Sequence, residues 1–151
     1  MNFPTRILVP LLFLFSCSNL DNRSNIKHIE ERISEIDETI LTNRAIILIP
    51  NSGCTGCISS AEQFIVDFND DLKDVKVIFT GINSMKTLRV RIGDKINDRN
   101  IHLDLENEFY FSELITLYPV VIFTKNNLIS SIFEQRPENS FSIDSVLISR
   151  N

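Results

Sequence analysis

The chain has 151 residues, 43% of them hydrophobic and 23% charged, a balance that supports the core of one globular domain and little more. Its 15 basic and 20 acidic side chains give a formal net charge of −5. With no basic cluster to neutralise phosphates, this composition argues against nucleic acid as a partner.

The N-terminus reads as a segment apart from the fold. Arg6 is followed by an apolar run over residues 7–15, broken only by Pro10. A bilayer-spanning helix needs about 20 apolar residues, so this run is too short to span and has the size of a secretory h-region. It ends at Leu14-Phe15-Ser16-Cys17, and polar Ser18, Asn19, Asp21 and Asn22 follow at once. These residues resemble the lipobox of bacterial lipoproteins, in which an apolar and a small residue precede a Cys; Phe15 is bulky for its place. The resemblance implies a signal peptide over residues 1–16, cleavage before Cys17 and lipidation of Cys17. Each buried CH₂ of acyl chain contributes roughly 0.8 kcal/mol, so two or three chains anchor a protein to a membrane. A plain signal peptide with an incidental Cys is the alternative. Cleavage would set Cys17 apart and leave one cysteine pair, Cys54 and Cys57, in a compartment that permits disulfides.

Residues 17–24 read as a tether, and residues 25–151 as the folded domain. Asn25 is a helix cap by type. Ile26, Ile29, Ile33, Ile36 and Ile40 recur at helical spacing among charged residues, which predicts an amphipathic helix packed on the domain, or a dimer seam. Residues 44–50 hold the apolar run Ala45-Ile46-Ile47-Leu48-Ile49, which predicts a strand covered on both faces. Asn51-Ser52-Gly53 is a turn. From Cys57 the period becomes helical, with Ala61, Phe64, Ile65, Phe68 and Leu72 inward and Glu62, Asp67 and Asp70 elsewhere. Further strands are expected over 75–79, 101–105, 119–123 and 128–133, the last two joined at Lys125-Asn126-Asn127. Helices are expected over 84–92, 106–117 and 140–148. The order strand, helix, strand, helix, strand, strand, helix implies parallel crossovers first and an antiparallel hairpin last.

Ser52-Gly53-Cys54-Thr55-Gly56-Cys57 follows the buried strand, and Leu117-Tyr118-Pro119-Val120-Val121-Ile122-Phe123 precedes the hairpin. Cys-x-x-Cys near a βαβ pattern is a thioredoxin-like signature. In these two segments and in element order over residues 44–148, the chain resembles the thioredoxin-like superfamily, in particular its envelope members. The resemblance implies an α/β fold: a three-layer α/β/α sandwich on a mixed sheet of four to five strands, here with an extra N-terminal helix. It also implies thiol–disulfide exchange with exported proteins or another envelope redox protein. No cofactor beyond the Cys54–Cys57 pair is implied. The location implied is the bacterial cell envelope, the domain facing the periplasm or exterior.

At a helix start, free N–H groups and the dipole favour a thiolate on Cys54, which would be the nucleophile. Cys57, nearly one turn on, would resolve the mixed disulfide. Thr55 and Gly56, between them, would tune thiolate stability. By resemblance, Tyr118 and Pro119 would line the substrate site, with a cis Tyr118–Pro119 peptide. Two residues depart from the family pattern. Gly53 stands where an aromatic is familiar. Leu48 stands where many thioredoxins carry an acid that moves the proton of the resolving thiol.

Two other readings compete. Two thiolates are half a zinc set, but only His28 and His102 could complete it, and both read as ordinary histidines; no metal is expected. A non-catalytic binding or assembly lipoprotein would keep the fold with a structural disulfide. So small a loop adds little through chain entropy, which disfavours a purely structural bond.

Overall fold

A computed structural model of the chain describes residues 20–114, 117–139 and 141–148. The expected signal over residues 1–16 and the expected lipidation site, Cys17, lie outside the described residues.

The apolar run after Arg44 forms β1 (Ala45–Pro50), buried along its whole length. Ala45, Ile47 and Ile49 enter one core cluster, whereas Ile46 and Leu48 enter another. A strand's side chains alternate between faces, so a continuous apolar run here marks a strand covered on both. β1 pairs in parallel with β2 (Val75–Thr80) and antiparallel with β4 (Val120–Lys125). β3 (Ile101–Leu103) adds in parallel to β2, and β5 (Leu128–Glu134) runs antiparallel to β4. The result is a mixed five-stranded sheet of order β3-β2-β1-β4-β5. The hairpin between β4 and β5 turns at Asn126 and Asn127, whose φ angles of 56° and 62° are those of a two-residue type I′ turn.

Helices cover both faces. On one lie α2 (Thr55–Phe68), α3 (Met85–Ile92) and α4 (Ser145–Ile148), which bury Phe64, Ile65, Leu88, Ile92 and Val146 with Ile47, Val77 and Phe79 of the sheet. On the other lies α1 (Leu20–Asp37), with Ile29 and Ile33 against Ile46, Leu48, Ile78 and Ile122. Burying an isoleucine contributes roughly 1.5–3 kcal/mol, so the stripe of α1 is spent on its own domain and not on a dimer seam. Glu30 of α1 also accepts the Ile129 N–H at 2.6 Å, which ties the helix to β5.

Three local expectations are corrected. α1 begins at Leu20, so Asn25 lies inside it and does not cap it. No Gly or Pro separates Leu20 from Asn25, and nothing in the backbone stops the helix there. Ile40 leaves the helix for a 3₁₀ turn, Glu38–Thr42, because the Asp37 carboxylate takes the Thr39 N–H at 2.9 Å and opens a new cap. The helix expected over 106–117 is absent among the described residues, which form turns. Asn107 takes a left-handed φ of 60°, which a right-handed helix does not admit, and buried Asp104 holds the turn around it. Its carboxylate accepts the N–H groups of Glu108 at 2.8 Å and Phe109 at 3.0 Å and the Thr80 hydroxyl at 2.6 Å. Such side-chain bonds fix a local turn around Asn107.

Candidate functional site

β1 delivers the chain to the cysteines through a loop pinned at both ends. Asn51 donates its N–H to the Thr80 carbonyl at 2.9 Å, and Cys54 donates to the Leu117 carbonyl at 2.7 Å. Between them Gly53 has φ +145°, and a Cβ placed there would lie 2.3 Å from the Leu117 oxygen. The segment before β4 therefore packs against bare backbone, and a larger residue has no room. That accounts for Gly53 where an aromatic was the familiar choice.

Cys54 is the N-cap of α2, and its Sγ accepts the Cys57 N–H at 3.4 Å. Cys54 and Cys57 are joined as a disulfide with Cα atoms 5.3 Å apart. The two sulfurs are not equivalent. Cys57 is only 8% exposed, turned inward by the helix, whereas Cys54 is half-buried at the mouth of the site. On reduction, a thiolate on Cys54 would face the unpaired N–H groups and positive dipole end of a 14-residue helix. Thr55 and Gly56 are exposed on the first turn, and a Cβ at Gly56 would meet nothing within 4 Å, so no backbone demand fixes that glycine.

Leu117 is brought to Cys54 by the bond just described and is itself 65% exposed. Tyr118 is half-buried with the Arg136 guanidinium 5.3 Å above its ring, and Pro119 is buried. No peptide bond among the described residues is cis, so Tyr118–Pro119 is trans and that expectation is corrected. Trans is the lower isomer at X–Pro by about 0.5–1 kcal/mol. Here it coexists with two ties that hold the segment, the Leu117 carbonyl on Cys54 and the Pro119 carbonyl on the Gln135 N–H at 2.8 Å.

Two features were missed in the sequence. The first is the far wall of the site. A groove of about 310 Å³ opens beside both cysteines and is lined across from them by Gln135, Arg136, Pro137 and Phe141. Arg136 there pairs with Glu134. The polar stretch Glu134-Gln135-Arg136-Pro137-Glu138-Asn139 marks a loop, but nothing local tells that the loop returns to Cys54.

The second is a buried charge. Glu62 is 4% exposed, unlike Asp67 on the same helix and Asp70 in the 3₁₀ turn just after it, both of which are exposed. Its Oε1 lies 3.0 Å from Nη2 of Arg91 on α3, a close ion pair without the alignment of a hydrogen bond. Burial pushes the Glu62 carboxyl above the usual carboxylate range, and the Arg91 charge opposes that shift. The same Nη2 donates to Oδ1 of Asn51 at 2.9 Å. The spacing of Glu62, four after buried Ile58 and three before buried Ile65, was the available sign that it flanks the inward face.

Leu48, in the place of the familiar acid, is buried among apolar residues. His28 lies 3.4 Å from Glu113, and His102 meets the Phe109 ring edge-on at 5.6 Å between centroids; the two are on α1 and β3 respectively. The chain matches no family model, no curated protein and no solved structure, so what stands is an α/β fold with a mixed five-stranded sheet and a Cys54–Cys57 disulfide at a helix start.

Proposed function

We propose that the chain is a thioredoxin-like thiol–disulfide oxidoreductase of the bacterial cell envelope, anchored by lipid on Cys17, with exported proteins as its clients. One asymmetry carries this reading: the outer sulfur, Cys54, caps α2 at the mouth of a groove, while Cys57 is shielded one turn behind. In the reducing direction the Cys54 thiolate attacks a client disulfide. A Cys54–client bond forms and the client's other sulfur leaves as a thiolate. The Cys57 thiolate then attacks Cys54, the Cys54–Cys57 bond forms, and the client's second sulfur leaves. The client gains two electrons, and a partner dithiol must restore the pair. The oxidising direction is the same path reversed. The client segment would lie in the groove beside Cys54 and Cys57, against Gln135, Arg136, Pro137 and Phe141; Tyr118 and Pro119 are outside its lining, Tyr118 reaching it only through Arg136 on its ring.

The direct test is the order of thiol reactivity. Alkylation of the reduced protein should modify Cys54 at least about tenfold faster than Cys57, with half-maximal rate at a pH below that of an ordinary thiol. Equal rates at the two thiols, with no exchange against a glutathione couple, would favour a binding or assembly lipoprotein instead.

The anchor has its own test. Metabolic labelling with a fatty acid should tag the wild type and leave Cys17→Ala untagged and released from membranes. A Cys17→Ala protein that stays labelled and membrane-bound overturns the lipid anchor without touching the redox reading.

A further inference from the structure

We infer that Glu62, acting through Arg91, is a positioning residue that holds the Asn51-to-Cys54 loop and so sets the reactivity of Cys54. This rests on the reading of Cys54 as the attacking thiol. The geometry is a chain of contacts through one atom. Nη2 of Arg91 sits 3.0 Å from Glu62 and 2.9 Å from Asn51, which begins the loop that ends at Cys54. Asn51 is itself tied to Thr80, and Cys54 to Leu117. The loop thus has a strand clamp and a helix clamp, and the second runs from α2 itself by way of α3 back to the residue that leads into α2.

A carboxylate taken almost wholly out of water is costly unless something offsets it. The contact Glu62 makes is with the Arg91 guanidinium, so holding that cation, and not direct proton transfer to a sulfur, is what it is placed for. What it does is fix a guanidinium that is 35% exposed and would otherwise be free to swing. Held there, Arg91 locks the Asn51 side chain, and the loop keeps the helix start aimed at Cys54 Sγ. Glu62 and Arg91 are therefore positioning residues and not catalytic ones.

The experiment reads Cys54 alkylation across pH and the thiol–disulfide equilibrium of the pair, in the full chain. Glu62→Gln, Arg91→Met and Asn51→Ala should each slow Cys54 at neutral pH by about threefold to tenfold, tenfold being one unit of thiol acidity. Each should also move the equilibrium toward the disulfide, because the reduced form loses thiolate stabilisation. Since a single nitrogen makes both contacts, Arg91→Lys should stay within about twofold of wild type, a single ammonium being able to take both acceptors. The Asn51→Ala/Glu62→Gln double variant should fall no further than Asn51→Ala alone, as two links of one chain would.

A purely electrostatic effect gives a different pattern. Removing an anion and removing a cation near a thiol shift its acidity in opposite directions. Opposite shifts in Glu62→Gln and Arg91→Met overturn the inference, as do multiplying effects in the double variant or unchanged rates in all three. Should Arg91→Met fail to fold with Glu62 left unpaired, Asn51→Ala leaves the ion pair whole and decides the matter. All of these read the thiol itself. A loss of client exchange in the wild type would sink the proposed function while leaving this test intact.

Discussion

Cys57→Ser is expected to accumulate covalent complexes with envelope proteins, while Cys54→Ser accumulates few or none. Attack needs only the outer sulfur, which survives in Cys57→Ser at the N-cap of α2 with the helix N–H groups in front of it. Resolution needs the inner sulfur, held one turn away with Cα atoms 5.3 Å apart, and a serine there cannot perform it. The mixed disulfide therefore persists until an outside thiol reaches it. In both variants turnover should fall by about 10³-fold or more, the scale seen when one member of a covalent mechanism is removed. The check is non-reducing electrophoresis of cells lysed in acid and alkylator, with bands that collapse on reduction. Bands of equal strength in both variants would mean that neither sulfur has the assigned role. Bands in neither, from a protein that is present and folded, would leave the pair without clients.

The difference in burial between the two sulfurs was legible in the sequence, and the reasons are local. A continuous β-branched run followed by Asn-Ser-Gly and then a helical period can place Cys54 only at a strand-to-helix junction. The same locality made β1, β2, β4 and β5 readable to within a residue or two, since each is an apolar run bounded by turn residues. What could not be read depends on distant partners. The spacing of Glu62 from Ile58 and Ile65 hints at the inward face, but its partner is out of view until α3 brings Arg91 to it. The segment after β3 was read as a helix, but Asn107 there takes a left-handed φ of 60° and the Asp104 carboxylate, from before the segment, holds the turn by two N–H groups. The wall of Gln135, Arg136, Pro137 and Phe141 reaches the cysteines only because β5 lies beside β4, and β4 begins just after Leu117-Tyr118-Pro119. The cis peptide expected at Pro119 came from resemblance and not from these residues, and it is the one site expectation the structure reverses.

Two glycines three positions apart are expected to respond to alanine in opposite senses. Gly53→Ala should destabilise the protein severely and silence the site; Gly56→Ala should leave the fold as stable or more so. At Gly53 the new Cβ would meet three backbone atoms of Leu117, its O at 2.3 Å, C at 2.8 Å and Cα at 2.9 Å. Backbone cannot swing aside as a side chain can, so Leu117 must retreat, and its carbonyl bond to the Cys54 N–H is lost with it. An alanine at φ +145° adds strain of about 1–3 kcal/mol. The lost hydrogen bond adds roughly 0.5–1.5 kcal/mol. For a chain of this size each kcal/mol lowers the melting temperature by about 2–4 °C, so a fall of roughly 5–15 °C is expected, with Cys54 no longer the faster thiol to alkylate. At Gly56 the added Cβ enters open space on the first turn of α2. Alanine there gains up to about 1 kcal/mol of helix propensity over glycine. Thermal melts of the two variants, oxidised and reduced, decide the point. A Gly53→Ala protein that melts like the wild type and still alkylates first at Cys54 would mean that the Leu117 segment does not press on the loop, and the pinned helix start on which the chemistry depends would have to be abandoned.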